Sequence, residues 1–256
     1  MSEIGSSTFT AHNILLDDGS QTLASAGYFM SQHPTFLAAS RTLRLAFPGG
    51  LKGVRIADLG CLEGGYSVEF ARLGMDVVGV EARKSNFQNC MMVKSKVNLG
   101  NLCFVRDDAW NLENYGRFDA IFCAGLLYHL DRPVAFIDLL GDLCKKVLIL
   151  GTHFAPEEQS SVFSLSDLTE NEGAQGRWYE EFPSDFKSDK EQNKWASWSN
   201  DKSFWLRKEY IIQTMREAGF PVVFEQFDGL GSNIAGEMLL GAYRTMHRST
   251  FVGVKI

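Results

Sequence analysis

The 256-residue sequence lacks the features that mark membrane, secreted or disulfide-framed proteins. No apolar run approaches the ~20 residues that a membrane-spanning helix needs, and residues 1–30 contain no apolar core of a signal peptide. The five cysteines are an odd number without a C-x-x-C pair, which predicts reduced core thiols and neither a disulfide frame nor a metal site. They are Cys61, Cys90, Cys103, Cys123 and Cys144. We therefore expect a soluble, cytoplasmic protein.

Positive charge is also scarce. The 25 Lys and Arg residues stand against 31 Asp and Glu residues, for a net charge of −6. Nucleic-acid-binding proteins usually carry a basic face, so nucleic acid is disfavoured as a partner. The acidic excess is concentrated in residues 156–191, with ten acidic and three basic residues, and we interpret this segment as a solvated loop face.

The sequence does contain a strand, a glycine-rich turn and a helix in residues 54–73. The turn begins at Gly60, but Leu62 stands where a dinucleotide fingerprint needs its second glycine. Asp58 and Glu63 flank the turn, and a carboxylate 4 Å from a phosphate is repelled by roughly 4 kcal/mol at an effective dielectric of 20. A ligand without phosphate is therefore favoured.

Further apolar runs at 76–80, 102–105, 118–123 and 146–150 alternate with helical patterns, which predicts a parallel sheet. Glu81 follows the second run, about twenty residues after the turn, where a carboxylate can accept hydrogen bonds from both ribose hydroxyls of an adenosine ligand. Asp108 follows the third run. The carboxyl ends of parallel strands share one edge, so these carboxylates should lie together.

Histidines follow the fourth and fifth runs. His129 lies in the segment Gly125-Leu126-Leu127-Tyr128-His129, and His153 lies just after the fifth run. An imidazole titrates near neutral pH and could remove a proton from a nucleophile. The alternative, that His129 only shapes its turn through a backbone hydrogen bond, stays open.

These motifs resemble those of the class I S-adenosylmethionine-dependent methyltransferases, whose first motif has an acidic residue and then G-x-G-x-G, with Leu62 as a departure here. The resemblance implies a Rossmann-like α/β fold with a mostly parallel seven-stranded sheet and an antiparallel last strand. We predict this final strand pair at 222–227 and 238–244, joined by a glycine-rich loop. The resemblance also implies S-adenosyl-L-methionine as cofactor, bound by Asp58, Gly60, Cys61, Leu62, Gly64, Glu81, Ala82, Asp108, Ala109, Gly125 and Tyr128.

Within that family, the chain looks most like the branch containing the tRNA wobble-uridine carboxymethyltransferases. The carboxylated cofactor of that branch needs additional basic and aromatic residues ahead of the first motif, and residues 49–53 do not obviously supply them. Ordinary S-adenosylmethionine is therefore the better expectation.

Two segments lie outside the predicted sheet. Residues 1–50 form an N-terminal cap, with a helix starting at Pro34, ahead of a methyltransferase domain at 51–256. Residues 155–205 lack a long periodic pattern yet hold four of the five tryptophans, which is typical of a substrate lid. Within it, Arg177, Trp178 and Tyr179 are the predicted substrate contacts, although most of its aromatic residues should only anchor the insertion.

We expect direct in-line transfer of a methyl group to an oxygen, nitrogen or carbon of a small-molecule acceptor, with His129 and His153 as candidate bases and no metal. A tRNA-modifying methyltransferase and a non-catalytic adenosylmethionine-binding partner protein are the alternatives. The oligomeric state is open, and a homodimer is one candidate.

Overall fold

A computed structural model describes residues 9–182, 190–191, 193–239 and 241–256. Seven strands form one sheet in the order β3-β2-β1-β4-β5-β10-β9. The strands are β1 (Arg55–Leu59), β2 (Asp76–Val80), β3 (Leu102–Val105), β4 (Phe118–Ala124), β5 (Cys144–His153), β9 (Val222–Gln226) and β10 (Arg248–Val254). β10 pairs antiparallel with both β5 and β9, and the other neighbours are parallel. The predicted fold class is therefore confirmed.

Helices cover both faces of the sheet. They are α1 (Pro34–Ala46), α2 (Gly65–Arg72), α3 (Lys84–Lys96), α4 (Pro133–Leu143), α5 (Lys208–Glu217), α6 (Ile234–Leu239) and α7 (Ala242–Met246). Along β4, Phe122 packs into one core with residues of α1, α2 and α3, whereas Ile121 and Cys123 pack into a second core with residues of α4 and α5. Successive side chains of a strand point to opposite faces, so burial on both sides accounts for the nearly continuous apolar runs.

The prediction of the last strand was wrong. Within 238–244, residues 238–239 belong to α6 and residues 242–244 to α7, and the final strand is Arg248–Val254. Leu239 is 63% exposed, whereas Phe251 and Val252 in β10 are fully buried. Pairing with β5 and β9 on both sides selects the later segment, and such tertiary pairing overrides local strand propensity.

The insertion contains more regular structure than its sequence pattern predicted. β6 (Thr169–Asn171), β7 (Ala174–Glu180) and β8 (Lys202–Leu206) form a separate antiparallel sheet in the order β6-β7-β8. Positions 183–189 and 192 of the predicted lid lie outside the described residues. Short strands of mixed polarity give a weak periodic signal, which explains why this sheet was missed.

Most cysteines lie in the core, as the sequence predicted. Four of the five cysteines are buried as predicted, but Cys103 on the edge strand β3 is exposed. Within the described ranges, no helix is long and apolar enough to cross a membrane.

Candidate active site

A cavity of about 500 Å³ lies at the carboxyl ends of the parallel strands. Its volume is within the range of about 300–1,000 Å³ found for small-ligand sites. Asp58 from β1, Glu81 after β2 and Asp108 after β3 all line it. Gly125, directly after β4, and Gly151 of β5 also contribute. The three carboxylates that sequence reasoning placed on one edge therefore face one shared space.

The predicted site residues divide into two groups. Those that line the cavity are Asp58, Gly60, Leu62, Glu81, Ala82, Asp108, Ala109, Gly125, Tyr128 and His129. Those that do not are Cys61, Gly64, His153, Arg177, Trp178 and Tyr179. Most of the second group have structural contacts that explain their positions.

The glycine-rich turn between β1 and α2 uses left-handed backbone conformations. Gly60 has φ = 65° and Gly64 has φ = 81°. A Cβ on Gly64 would lie 2.6 Å from Cζ of Phe104, so this glycine allows α2 to pack closely on the sheet. Leu62, the departure from G-x-G-x-G, also has a positive φ of 54°, and its N–H donates to Oε2 of Glu81 at 2.9 Å. The turn thus keeps its shape without the middle glycine.

The two innermost carboxylates are both buried. Asp58 is 2% exposed and accepts a 2.6 Å hydrogen bond from the hydroxyl of Ser67. Burial raises the pKa of Asp58 from 3.8 to about 7, although the Ser67 bond opposes the shift. Burial also raises the pKa of Glu81, against the opposing effect of the Arg83 N–H, which donates to Oε1 at 2.8 Å. A ligand with a cationic or hydroxyl group would stabilise the ionised form of each carboxylate.

Glu63 has a different role from the one its position in the turn suggested. It is fully buried and does not line the cavity, so of the two flanking carboxylates only Asp58 lines it. Glu63 accepts hydrogen bonds from the backbone N–H groups of Thr10, Ala11 and His12 at 2.7 to 3.1 Å. Burial alone would raise its pKa, but these bonds outweigh burial and lower it. Glu63 therefore anchors the N-terminal segment.

That N-terminal segment closes one side of the cavity. His12 Nδ1 accepts from the N–H of Gly65 at 3.0 Å, so a side chain caps the start of α2. Ala11, His12, Tyr28 and His33 line the cavity. Burial lowers the pKa of His12 to about 4, which keeps it a neutral acceptor.

His129 sits in a short 3₁₀ turn directly after β4 and forms a pair with Glu181 of the insertion. Its Nδ1 lies 2.9 Å from Oε1 of Glu181. The Glu181 carboxylate is an acceptor, so Nδ1 carries the ring proton and Nε2 is left as a proton acceptor. Glu181 is 7% exposed and also accepts from the N–H of Ser197 at 2.8 Å. Sequence reasoning placed Glu181 on a solvated loop face, and this was wrong for Glu181.

The insertion also holds the turn that carries His129. Nε1 of Trp205 donates to the carbonyl of Tyr128 at 2.9 Å, and Nδ2 of Asn200 donates to the carbonyl of His129 at 3.0 Å. The N–H of Phe204 donates to the carbonyl of Leu130 at 2.8 Å. β8 and the residues before it therefore fix the position of the imidazole.

His153 lies beneath the cavity lining rather than in it. Its ring stacks on Trp205 with centroids 4.8 Å apart, and its Nδ1 donates to the carbonyl of Met246 at 2.6 Å. Burial, with a further effect of the positive charge of Arg248, lowers the pKa of His153 to about 4. A neutral ring held in this way supports the turn and makes a poor base.

Aromatic residues of the insertion do line the cavity, but not the ones predicted. Arg177 is 4% exposed and donates to the carbonyls of Pro156, Glu157 and Ser166. Trp178 packs on Phe204 with ring centroids 5.0 Å apart, which is a core contact. Tyr179 packs near Trp205 with ring centroids 5.3 Å apart. The Arg177-Trp178-Tyr179 stretch thus stabilises the insertion.

The segment that covers the cavity is instead residues 194–199, including Trp195 and Trp198. Arg83, three residues beyond the end of β2, anchors it by donating to the carbonyls of Lys190, Asn193 and Ala196. Its guanidinium carbon lies 5.7 Å from the centroid of the Trp198 ring. The tryptophan content marked this region in the sequence, but no local pattern pairs it with Arg83.

Comparison with known proteins agrees with this geometry. A family profile described as "Methyltransferase domain" matches residues 31–225. The ubiquinone biosynthesis O-methyltransferase of Psychrobacter cryohalolentis is 30% identical over 105 residues, which cover 40% of this chain and 39% of that protein. The tRNA U34 carboxymethyltransferase of Campylobacter hominis is 33% identical over 86 residues, which cover 33% of this chain and 30% of that protein.

The fold matches solved structures over most of the chain. The N-terminal domain of EvdMO1, crystallised with S-adenosylhomocysteine (SAH) bound, has a TM-score of 0.65 at 24% identity, covering 91% of this chain and 85% of that chain. The chain spans about two fifths or less of the length of the curated relatives named above. Because the family profile covers about three quarters of the sequence and the fold agrees, the chain belongs to the class I S-adenosylmethionine-dependent methyltransferases.

Proposed function

We propose that the protein binds S-adenosylmethionine and transfers its methyl group to a small-molecule acceptor at an oxygen or nitrogen that loses a proton. The observation that carries this proposal is that His129, which is paired with the buried Glu181, lines the same cavity as Asp58, Glu81 and Asp108. The charge and hydrogen-bonding capacity of the cavity fit the cofactor, since buried carboxylates suit an ammonium group and ribose hydroxyls.

The carboxylate side of the cavity would hold the cofactor. Asp58 would accept from the ammonium group, Glu81 from the ribose hydroxyls and Asp108 from the adenine amino group, while Gly60 and Gly125 leave room for close approach of the backbone. When bound, S-adenosylmethionine supplies a methyl group activated by the positive charge on its sulfur. The protein then has to bind, orient and deprotonate the acceptor.

His129 is the residue we assign to the proton. Its Nε2 is free to accept a proton because Nδ1 already donates to Glu181. As the imidazole takes up the proton it becomes a cation, and the buried carboxylate beside it stabilises that charge. Glu181 is thus a positioning residue that acts through His129. The hydrogen bonds that Trp205 and Asn200 donate to the carbonyls of this turn hold the backbone that carries the His129 ring in place.

The test begins with SAH calorimetry and then uses methyl-labelled cofactor with lysate separated into small-molecule, RNA and protein fractions. We expect micromolar-to-millimolar SAH binding and label in the small-molecule fraction. With that labelled fraction as the assay, His129→Asn should lower turnover by about 10²- to 10⁴-fold while SAH binding is retained. Glu181→Gln should lower it by about ten-fold and alter the pH profile of turnover.

Glu180→Gln is the matched control, because Glu180 is the neighbouring residue, is exposed and, among the described residues, forms its ion pair with Lys202. It should behave as wild type. Full turnover in His129→Asn would contradict the base assignment. No SAH binding would reject the cofactor proposal, and SAH binding without transfer to any fraction would favour a non-catalytic binding protein.

A tRNA substrate is the second candidate, favoured by the partial similarity to a tRNA U34 carboxymethyltransferase. The net charge of −6 opposes it, because tRNA binding normally requires a basic surface. Label in the RNA fraction, together with salt-dependent binding to bulk tRNA, would replace the small-molecule proposal.

A further inference from the structure

We propose that the cavity contains a carboxylate-binding subsite for the methyl acceptor, formed by Arg248 at the start of β10 with His33 of the N-terminal segment. The acceptor would then be a small organic acid that presents its carboxylate to Arg248. This inference rests on the proposed function, because it names the class of acceptor used by the same site.

The first argument is the distribution of charge around the cavity. Four carboxylates line it among the described residues, and all lie at the carboxyl ends of β1, β2 or β3: Asp58, Glu81, Asp107 and Asp108. Another part of the described lining comes from β10 and the N-terminal segment. It contributes Arg248 and His33, and no carboxylate. One part therefore suits a cationic ligand, and the other part suits an anion.

The second argument is that Arg248 is unpaired. Two other basic side chains in the lining, apart from the histidines, already have partners: Arg83 donates to main-chain carbonyls, and Nζ of Lys194 lies 3.7 Å from Glu63. Within the described part of the chain, the side chain of Arg248 forms no ion pair or hydrogen bond, and its guanidinium carbon lies over the face of the Tyr128 ring, 5.6 Å from the centroid. A guanidinium in a ligand cavity without a partner is available for an anion.

The third argument is where the guanidinium lies. A Cβ built on Gly125 would be 3.5 Å from Nη2 of Arg248 and 3.7 Å from the hydroxyl of Tyr128. The side chain of Arg248 therefore extends from β10 across β5 to the end of β4, beside the turn that carries His129. A carboxylate bound there would place the rest of a small acceptor next to the proposed base.

His33 supplies a second donor on the same side. Its Nδ1 accepts from the N–H of Thr35 at 3.2 Å, so the ring proton is on Nε2. Burial lowers the pKa of His33, and the nearby positive charge of Arg248 lowers it further. The pair therefore offers one full positive charge and one neutral donor. This suits a carboxylate monoanion better than a phosphate dianion, and a guanidinium binds carboxylates in a bidentate manner.

The cofactor strengthens the case for an anion at this place. An unpaired guanidinium would repel a sulfonium bound in the same cavity. A carboxylate between them removes that repulsion, so acceptor and cofactor should each favour the binding of the other.

The experiment is calorimetry on the SAH-saturated protein at low chloride concentration, with three probes: 4-hydroxybenzoate, 4-hydroxybenzamide and phenyl phosphate. The benzoate should bind at least about ten-fold more tightly than the amide, as expected for a hydrogen bond between charged groups. Arg248→Gln should remove this preference and change SAH affinity by less than about two-fold. Arg248→Lys should retain a weakened preference.

Arg244→Gln is the matched control, because Arg244 lies on the nearby helix α7 and does not line the cavity. It should retain the full preference. Equal affinity for acid and amide in the wild type, including no detectable binding of either, would overturn the proposal, as would tighter binding of phenyl phosphate. An Arg248→Gln protein that loses SAH affinity ten-fold would assign Arg248 to the carboxylate of the cofactor instead.

The two proposals fail in different ways. Wild-type protein that does not bind SAH would reject the proposed function. Wild-type protein that binds SAH but does not prefer the acid would reject only the carboxylate subsite.

Discussion

Replacing Asp58 with Asn should stabilise the protein in the absence of cofactor and weaken cofactor binding. Asp58 is 2% exposed, and burial raises its pKa from 3.8 to about 7. The folded protein therefore holds this proton more tightly than the unfolded chain does. The resulting stability is fully present below pH ~4 and is lost as the pH rises to about 7. Above that pH the ionised, buried carboxylate opposes folding.

The structure sets the size of the effect. A pKa change from 3.8 to about 7 corresponds to at most about 4 kcal/mol of the free energy of unfolding. Asparagine removes the charge and can still accept the hydrogen bond from Ser67. We expect Asp58→Asn to be about 2–4 kcal/mol more stable than wild type at pH 8, with the difference vanishing toward pH 4. In a chain of this size that gain raises Tm by about 5–15 °C.

The assay is urea unfolding and thermal melting of both proteins between pH 4 and 9, without cofactor. Asp76→Asn is the control, because Asp76 is exposed at the opposite end of the sheet. Calorimetry in the same series should show wild-type SAH affinity rising up to about pH 7, with proton release below it, and a weaker, flatter dependence in Asp58→Asn. A stability difference that stays constant across this range would refute the assignment of the raised pKa to Asp58.

Two further predictions concern how the site is held in place. Gly64→Ala should cost about 2–3 kcal/mol of the free energy of unfolding, measured by urea denaturation, because its Cβ would lie 2.6 Å from Cζ of Phe104 at a backbone φ of 81°. Gly50→Ala is the control for backbone strain alone, because Gly50 has a φ of 104° and no atom lies within 4 Å of the Cβ position. An equal loss of stability in both variants would contradict the packing argument. Arg83→Ala should remove the contacts to the carbonyls of Lys190, Asn193 and Ala196, which should raise the rate of limited proteolysis at residues 193–196 and weaken SAH binding by about ten-fold. Unchanged proteolysis and SAH affinity would show that Arg83 does not hold the cover.

The parts of the site that could be predicted from the sequence are those fixed by local order along the chain. β2 and β3 have the predicted bounds, and the three carboxylates lie at or within three residues of the carboxyl ends of their strands. The carboxyl ends of parallel strands share one edge of the sheet, so residues at those ends, such as Asp58, Glu81 and Asp108, are brought together. Neighbouring strands are only ~4.8 Å apart, so no long-range information is needed.

The parts that were missed depend on contacts between distant segments. Glu181 meets His129 across 52 positions of sequence, and it stands in a run of acidic residues with nothing local to distinguish it from Glu180. Arg177 and Arg83 are both buried arginines that bind main-chain carbonyls, yet only Arg83 lies beside the cavity. Periodicity and motif spacing do not record which buried charge faces which segment. The same limit explains the misplaced last strand, since β10 is selected by β5 and β9.

These distant contacts share one physical arrangement. Two charged groups next to the cofactor-binding motifs, Glu63 in the turn and Arg83 after β2, are used to bind backbone groups of the two segments that cover the cavity. A buried charge needs several hydrogen bonds to be tolerated, and backbone N–H and carbonyl groups supply them whatever the side chains are. The covers are therefore held through their main chains, which leaves side chains such as Tyr28, His33 and Trp195 to determine the acceptor. It follows that substitutions at those three positions should change acceptor preference while SAH binding is largely retained, whereas loss of Glu63 or Arg83 should impair both.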